Sequence, residues 1–455
     1  MTPETKQRIK QHLPAQIVSG VGILVLALAF LRWIIQQQPG AAEIAAAACS
    51  AALFIVGCLR FVPEWIGFWR NGTDAAPADP EPKHIMPGIA ALAAATEILL
   101  LGLVTLVLSV RYGNGFTFRG AVEFWRCLDS GHYLDIAREW YLSDGEWGRV
   151  VQLVFLPGYP LTVYPLYRIL GNDVIAGLLV SFAAFPAACC VLYRLLRLDC
   201  DHRRAFRTVL MLLLLPGGFF FVAPMSESLY LLLALSALYC FRRKRFPAAG
   251  LLGAFCAFTR TVGLLLLAPM IVEWIHAFPR QSGERRKWAL GVLSVLLVPV
   301  GFLAYLWINR TVSGNALQFL TYQRDHWSQN LGWFFHTAAY QTSYLADCIR
   351  EGNRTNIFGL WIPNLLWHFG TLGLFALTAK KLRASYAAWF VAYFVIAIGA
   401  TWLLSGPRYL LAMPVVAMML AAASEKRWQQ WLAAGVLVPL SILYLIAFVY
   451  RWQVW

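Results

Sequence analysis

This 455-residue sequence is poor in charged residues, which make up 13% of it, whereas hydrophobic residues make up 59%. Soluble globular domains carry about 25% charged residues, because their surfaces must be hydrated. The shortage therefore excludes an ordinary soluble domain and predicts an all-α polytopic membrane protein. The apolar runs are also longer than the roughly ten residues that a membrane β-barrel strand needs.

The cysteines form no metal-binding or redox motif. All nine are scattered, mostly inside apolar runs, and no Cys-x-x-Cys or cysteine–histidine spacing occurs. Cys127 and Cys348 both fall in predicted outer loops, where a disulfide is chemically allowed, but we expect free thiols. We therefore predict neither a bound metal nor a cofactor.

Lysine is missing from one predicted side of the membrane. If the N-terminus lies inside, all eight lysines fall on the cytoplasmic side: Lys6, Lys10, Lys83, Lys244, Lys287, Lys380, Lys381 and Lys426. This asymmetry is typical of the positive-inside rule. The net charge of +15 comes from short basic clusters between apolar runs, so it indicates membrane orientation and not nucleic-acid binding.

The hydropathy pattern predicts thirteen helical spans of about 20 residues each. They form an N-terminal hairpin with a linker (1–87), a core (88–425) and a C-terminal helix (426–455). Two polar interruptions of the core, 111–172 and 309–356, are predicted as outer loops. Eleven spans are expected near 17–35, 41–62, 88–110, 173–196, 205–223, 226–241, 287–308, 357–378, 385–404, 407–423 and 429–451.

The other two spans are predicted within residues 247–278, a stretch that is too long for one ordinary span. Arginine clusters flank it on both sides, and both clusters favour the cytoplasm. Two short helices, with Arg260 at the turn between them on the outer side, satisfy both flanks.

The first outer loop contains a carboxylate in an apolar setting. If residues 124–137 form a helix, Asp129 lies at the edge of its apolar stripe, because residues three and four apart share a helix face. Placing a carboxylate there costs solvation free energy. Two explanations are open: a helix cap or arginine partner, or a general base that faces a cavity.

Four polar features converge on the predicted outer face from distant parts of the chain. They are Asp129, the turn Ser226-Glu227-Ser228, Arg260, and the segment Ser405 to Tyr409 that opens a later helix. An active site on that side requires such convergence, although loop residues are commonly polar.

The two outer loops carry further patterns. The prolines and glycine of 155–160 predict a broken or interfacial helix. The aromatic residues of 309–356 fit a lid, a sugar-stacking surface or an interfacial belt.

Several sequence blocks, taken together, resemble a known family. The blocks are Asp129 with His132-Tyr133 and Ile136-Ala137; Phe155 to Pro160; Pro224 to Tyr230; Ala248-Ala249-Gly250 through Arg260 and Gly263; and Pro407-Arg408-Tyr409. In this order, over roughly residues 90–425, the chain is similar to the PIG-V-like mannosyltransferases of the GT-C class. The resemblance implies a GT-C-like bundle of about 11–13 transmembrane helices with outer-face loops and interfacial helices. The chain departs from the family pattern at Leu128, where tryptophan is usual.

The resemblance also implies an activity. It implies transfer of a sugar, usually mannose, from a polyprenyl-phosphate donor to a lipid or glycan acceptor on the extracytoplasmic side of the cell membrane. It places the catalytic base at Asp129. We predict that Arg260 and Arg408 bind the donor phosphate, since arginine binds phosphate through a planar fork. Both are alternatively interfacial anchors or ion-pair partners of Glu227.

The remaining predicted substrate-binding residues surround that base. They are Glu227, His132, Tyr133 and Tyr409, the last through its backbone N–H at a helix start. One base without a second, nucleophilic carboxylate indicates inversion at the anomeric carbon. A metal is not required, because an arginine pair can neutralise the phosphate.

Two other classes of protein remain open. A lipid or sugar transporter, or a flippase, has an internal repeat with matched broken helices in two halves. The unequal outer loops show no such repeat. A non-catalytic assembly factor with the same fold is distinguished from an enzyme by replacing Asp129.

Overall fold

The structure, a computed structural model, describes residues 3–71, 79–141, 151–277 and 285–455. Parts of the predicted linker (72–78), of the first outer loop (142–150) and of the basic segment after the paired short helices (278–284) lie outside the described residues. Within these ranges the chain is helical, and its β-structure is one isolated bridge between Leu331 and Ala400.

The helices are numbered here in chain order. They are α1 (Pro3–Gln37), α2 (Ala41–Asn71), α3 (Ile85–Tyr112), α4 (Phe118–Glu123), α5 (Ser130–Glu139), α6 (Gly158–Leu170), α7 (Asp173–Leu196), α8 (His202–Leu214), α9 (Phe219–Val222), α10 (Glu227–Arg242), α11 (Phe246–Thr259), α12 (Leu267–His276), α13 (Arg285–Ser313), α14 (Gln318–Trp327), α15 (Phe334–Glu351), α16 (Arg354–Asn356), α17 (Ile362–Thr378), α18 (Ala384–Ala397), α19 (Gly406–Leu411), α20 (Pro414–Ala423) and α21 (Arg427–Val449). Short 3-10 or π-helical turns lie at Gly113–Gly115, Val151–Val154, Thr261–Leu266, Ile357–Trp361 and Ala379–Lys381.

Many of these helices have the length and composition of membrane spans. Seven segments in the described ranges are long and apolar enough to cross a membrane: Pro14–Gln37, Ala41–Phe68, Ile85–Gly115, Asp173–Leu196, Trp288–Ser313, Arg354–Lys381 and Arg427–Val449. Four shorter apolar helices accompany them: Phe246–Thr259, Thr261–His276, Ala384–Ala397 and Pro414–Ala423. The predicted all-α polytopic membrane class is therefore confirmed.

Three predicted spans are interrupted or shortened. The span 205–223 is split into α8 and α9, because Pro216 has no N–H to donate and Gly217 adopts a φ of +94°. The span 407–423 is split into α19 and α20 before Pro414. The span 385–404 ends as a helix at Ala397, beyond which Gly399 accepts a backbone hydrogen bond from Gly332 at 2.6 Å.

The segment 247–278 folds as the predicted pair of short helices. Helix α11 ends at Thr259, Arg260 is extended (φ −148°, ψ 143°), and a 3-10 turn leads into α12. The chain turns back tightly there, since a Cβ at Gly263 would lie 2.4 Å from the carbonyl oxygen of Cys256. Arg260 is thereby held at the tip between two helices.

The N-terminal hairpin, α1 with α2, is packed into the bundle. Ser50 Oγ lies within hydrogen-bond distance of His368 Nε2 on α17, at 2.8 Å. Arg60 Nη1 donates to the carbonyl oxygen of Ala376 at 2.7 Å, and the ring of Phe54 packs 4.6 Å from that of Phe334 on α15. The hairpin therefore supports α15 and α17.

Helix α10 connects two polar clusters at opposite ends of the bundle. Glu227 begins it, and Arg242 ends it. Arg242 donates to both carboxylate oxygens of Asp199, at 2.5 and 2.6 Å, and Arg383 donates to both oxygens of Glu273, at 2.6 and 2.9 Å. This second cluster balances two arginines with two acids, so it fixes the end of α10 that lies away from Glu227.

Candidate functional site

Four of the residues predicted from the sequence meet at the other end of α10. Arg408 Nη2 donates to Asp129 Oδ2 at 2.5 Å, and Arg260 Nη1 donates to Glu227 Oε1 at 2.5 Å. Arg408 Nε lies 3.2 Å from the same oxygen of Glu227. Two carboxylates and two guanidiniums from four separate segments thus form one cluster, which we name the arginine–carboxylate cluster.

Asp129 enters the cluster from a strained turn. It precedes α5 with helical backbone angles (φ −72°, ψ −12°), and its side chain caps no backbone N–H. Leu128 before it has a φ of +52°, a left-handed conformation that costs a bulky residue roughly 1–2 kcal/mol. The helix-cap explanation for Asp129 is therefore wrong, and the arginine-partner explanation describes the contact that the carboxylate makes.

Glu227 lies between the two arginines at the start of α10. It is 1% exposed, and its Oε1 is the atom that both guanidiniums approach. Its Oε2 has no hydrogen-bond partner among the described residues. A buried charge needs a partner of opposite sign, so Glu227 and the arginines hold one another in place.

Both arginines are buried against aromatic or sulfur-containing side chains. The guanidinium of Arg260 lies 5.3 Å from the ring of Tyr409 and 5.9 Å from that of Tyr230. The guanidinium of Arg408 lies 6.0 Å from the ring of Phe220. At 7% and 8% exposed, respectively, Arg260 and Arg408 are ion-pair partners of Glu227 and not interfacial anchors.

Tyr133 and Ser226 extend the cluster through hydrogen bonds. The hydroxyls of the two residues lie 3.0 Å apart, and Ser226 Oγ accepts from Arg260 Nη1 at 3.2 Å. Burial raises the pKa of the Tyr133 phenol, so it remains a neutral hydroxyl at physiological pH. The hydroxyl of Ser226 therefore links the predicted substrate-binding residue Tyr133 to Arg260.

His132 contributes to a wall beside the cluster. Its ring stacks on that of Phe155, with the ring centroids 4.7 Å apart. The ring of Trp327 packs edge-on against the same Phe155, at 6.1 Å. Trp327 of the second outer loop thus packs on the residue that stacks against His132 of α5. Phe334 and Phe335 of the same loop are fully buried against the hairpin, so these two belong to the core and not to a lid or belt.

Tyr409 differs from the prediction in one respect. Its backbone N–H donates to the carbonyl oxygen of Ser405 at 3.1 Å, so that N–H is already used within the chain. Helix α19 is also a short helix of six residues. Tyr409 instead presents its ring to Arg260, and its carbonyl oxygen accepts from Tyr393 at 2.8 Å.

Asp135, the other acid of α5, does not join the cluster. Arg126 Nη1 donates to its Oδ1 at 2.8 Å, and the same guanidinium also pairs with Asp173. These ion pairs fix α5 against the start of α7. The spacing of Arg126 and Asp135 gave no signal of this pairing, because nine residues do not bring two side chains to one helix face.

The structure also answers the question about the thiols. Cys127 and Cys348 are both free and buried. Burial raises the pKa of the Cys127 thiol to about 12, so it is unreactive near neutral pH. Within the described residues, no three His, Cys, Asp or Glu side chains are grouped so that they could hold a metal ion.

An apolar cavity of about 430 Å³ opens between α17, α20 and α21. Its lining includes Tyr444, whose ring lies 5.6 Å from Phe219. The next residue, Phe220, is the one that packs under Arg408. Two adjacent aromatic residues therefore separate the cavity from the arginine–carboxylate cluster.

The fold and the cluster define a polytopic membrane protein with a buried, charge-balanced site near one end of its bundle. The family model described as mannosyltransferase (PIG-V) matches residues 120–339, a range that contains Asp129, Glu227 and Arg260. The resemblance to PIG-V mannosyltransferases is thereby confirmed over that range. Arg408 lies beyond it.

Individual relatives agree with the family match. GPI alpha-1,6-mannosyltransferase 2 of Mus musculus is 26% identical over 211 residues, which cover 41% of this chain and 40% of that protein. GPI mannosyltransferase 2 of Yarrowia lipolytica is 38% identical over 86 residues, which cover 19% of this chain and 24% of that protein. The matches span less than half the length of these curated relatives.

A solved structure is similar to part of this chain. The crystal structure of ArnT from Cupriavidus metallidurans bound to undecaprenyl phosphate is similar over 78% of this chain and 75% of that chain. Its sequence identity is 15% and its TM-score is 0.44.

Proposed function

We propose that this chain is a membrane glycosyltransferase. It moves a sugar, for which mannose is the first candidate, from a polyprenyl-phosphate donor to a hydroxyl of a lipid or glycan acceptor. The observation that carries the proposal is the arginine–carboxylate cluster, with Asp129 at its accessible edge, inside a chain that resembles mannosyltransferases. The names of the relatives describe transfer of mannose, which supports mannose as the donor sugar.

Asp129 is the general base of the proposed reaction. The acceptor oxygen attacks the anomeric carbon of the donor, a new carbon–oxygen bond forms, and the bond from that carbon to the phosphate oxygen breaks. The electron pair of the broken bond goes to the phosphate, and the acceptor proton goes to the carboxylate of Asp129. A positioned base of this kind accelerates a reaction by about 10²–10⁴-fold. Because no covalent sugar–enzyme intermediate is involved, the anomeric configuration is inverted.

Arg260 and Arg408 stabilise the leaving phosphate. Both are buried and remain charged, so their attraction for developing negative charge is weakly screened by water. Glu227 holds the two guanidiniums in place, and Tyr133 supplies a neutral hydroxyl through Ser226. The arginine pair supplies the positive charge that a metal ion supplies in many phosphate-binding enzymes.

The polyprenyl chain of the donor occupies the apolar cavity between α17, α20 and α21. Support comes from the cavity's apolar lining, which includes Leu366, Leu440 and Leu443, and from its closeness to Arg408, since Tyr444 on the lining packs on Phe219, whose neighbour Phe220 lies under Arg408. One lipid molecule then places its charged head group at Arg408 and its apolar tail in this cavity.

The site faces the extracytoplasmic side of the cell membrane. The one-sided distribution of lysine supports this orientation, since it assigns the ends of α1, α10 and α20 that carry lysine to the cytoplasm. Asp129, Arg260 and Arg408 then lie at the end of the bundle opposite to these lysines.

The experiment that tests the proposal offers two donors to the purified protein. The protein in detergent is incubated with a lipid extract and with either radiolabelled polyprenyl-phosphate mannose or labelled GDP-mannose. We expect labelled glycolipid or glycan only from the polyprenyl donor. Absence of transfer from polyprenyl-phosphate mannose, with a protein shown to be folded, would contradict the proposal.

A further inference from the structure

The ion pair between Asp129 and Arg408 raises a difficulty for the proposed reaction. The carboxylate of Asp129 already accepts a hydrogen bond from Arg408 Nη2 at 2.5 Å, so an oxygen that must accept the proton of the acceptor hydroxyl is occupied by the guanidinium. The same contact occupies the guanidinium that the donor phosphate requires. In this arrangement, base and phosphate-binding group block each other.

The charge of the cluster sharpens the difficulty. Asp129, Glu227, Arg260 and Arg408 sum to zero, so the cluster has no excess positive charge for a phosphodiester. One of the two carboxylates must therefore lose its ion pair with an arginine when the phosphate binds. Glu227 is 1% exposed and is shared by both arginines, whereas the side chain of Asp129 is 24% exposed and contacts only one of them within the cluster.

Two donor groups of Arg408 lack a well-placed hydrogen-bond acceptor and are suited to such an exchange. Its Nε lies 3.2 Å from Glu227 Oε1 without the geometry of a hydrogen bond, and it has no hydrogen-bond partner among the described residues. Its Nη1 contacts the sulfur of Met225 at 3.8 Å, which is a weak acceptor. A phosphate oxygen is a far stronger acceptor for Nη1 than this sulfur.

We propose that the donor phosphate replaces Asp129 on Arg408, so that donor binding itself releases the catalytic carboxylate. This inference rests on the proposed function and adds an order to it: Asp129 becomes an effective base only after the lipid phosphate is bound. Without the donor, the Asp129–Arg408 pair keeps the base inactive and the buried guanidinium neutralised.

The exchange also fits the end of the reaction. When Asp129 has accepted the acceptor proton it is neutral and no longer competes for Arg408. At the same moment the phosphate changes from a diester to a monoester and gains negative charge. The product phosphate is therefore held until Asp129 loses its proton and returns to Arg408, which expels the spent lipid.

The test measures binding and needs no turnover. Undecaprenyl phosphate is titrated into the purified full-length protein in detergent, and its Kd is determined for wild type, Asp129→Asn and Asp129→Ala. If Asp129 competes with the phosphate, removing its charge frees Arg408 and should tighten binding by about tenfold, as expected when a competent state of roughly one tenth population becomes dominant. Asp135→Asn is the matched control, because it removes an equal charge from α5 at a carboxylate that pairs with Arg126.

The outcomes are distinct. Tighter binding in both Asp129 variants, with Asp135→Asn unchanged, supports the exchange. Unchanged or weaker binding in both Asp129 variants, with wild type binding normally and thermal unfolding showing folded protein, overturns it and leaves the proposed transferase function standing. Equal tightening by Asp135→Asn overturns it too, because the effect is then general electrostatics. A wild-type protein that binds no polyprenyl phosphate overturns the proposed donor as well as the exchange.

Discussion

Arg408 Nη2 and Asp129 Oδ2 are 2.5 Å apart, although the two residues are separated by 279 positions in the chain. The contact joins the start of α5 to the start of α19, and Glu227 links it to Arg260 at the tip between α11 and α12. One ion-pair cluster thereby gathers four distant segments into a single site. The proposed reaction depends on that gathering.

Replacing the arginines by lysine tests whether they bind phosphate through the planar fork. Arg260→Lys and Arg408→Lys each keep the charge and lose the fork, so each should lower kcat/KM for the polyprenyl donor by about 10- to 100-fold, corresponding to roughly 1.5–3 kcal/mol. Steady-state kinetics with varied donor measures this. Arg168→Lys, at an exposed arginine of α6, is the control and should be neutral. Wild-type donor kinetics in both lysine variants would remove the phosphate role.

The close approach of α6 to α11 should be intolerant of a methyl group. A Cβ at Gly158 would lie 2.3 Å from Thr259 Oγ1 and 2.8 Å from Thr259 Cα, next to Arg260. We expect Gly158→Ala to lower the free energy of unfolding by about 1–3 kcal/mol and to reduce transfer. Thermal unfolding in detergent measures the first effect. Gly102→Ala in α3, where nothing lies within 4 Å of the new Cβ, should be harmless; equal stability of both variants would contradict this packing.

The described end of the linker should make stability depend on pH. The backbone N–H of His202 and the guanidinium of Arg197 both donate to Asp79, and they lower the pKa of its carboxyl. A lowered pKa means that the stabilisation is present above the unfolded-state pKa of about 3.9 and is lost as the pH falls through the lower folded value. Thermal unfolding of Asp79→Asn should therefore show a loss of stability at pH 7 that shrinks toward pH 3.

A nearby acid provides the control for Asp79. Glu81 is exposed and lies two positions away, so Glu81→Gln removes an equal charge from the same stretch. It should leave the pH dependence of unfolding unchanged. A similar change in both variants would show that the effect is not specific to the contacts of Asp79.

Cysteine labelling tests the orientation of the site. Arg350 in the second outer loop has a side chain that is 78% exposed, and Glu425, before α21, has one that is 52% exposed. A membrane-impermeant maleimide should label Arg350→Cys in intact cells and Glu425→Cys only after permeabilisation. The reverse pattern would place the arginine–carboxylate cluster on the cytoplasmic side.

The sequence predicted the local features of the site better than its contacts. The basic flanks of 247–278 indicated two short helices with Arg260 between them, because charge placement and span length are local properties. The pairing of Arg408 with Asp129 could not be predicted in the same way, since it depends on how α5 and α19 pack. Arg408 therefore pairs with the proposed base, in addition to its predicted role at the phosphate.

Three further features of the fold could not be predicted from the sequence alone, or were not. The hairpin α1–α2 carries no motif, and its support of α15 and α17 comes from single contacts such as Ser50 with His368. Pro414 by itself indicates a break between α19 and α20. The apolar composition of 407–423 nevertheless favoured one continuous span. The hydrogen bond from the Tyr409 N–H to the carbonyl oxygen of Ser405 could be identified only from the backbone geometry of α19.

The most direct test of the central claim compares two aspartates of one loop. Asp129→Asn leaves Arg408 with Glu227 as its remaining carboxylate, so we expect a stability cost of about 1–3 kcal/mol and require an unfolding measurement alongside the assay. Transfer from polyprenyl-phosphate mannose is then measured for wild type, Asp129→Asn and Asp135→Asn. The account predicts that folded Asp129→Asn loses about 10²-fold or more of the rate while Asp135→Asn retains it. Transfer by Asp129→Asn at the wild-type rate would contradict the account.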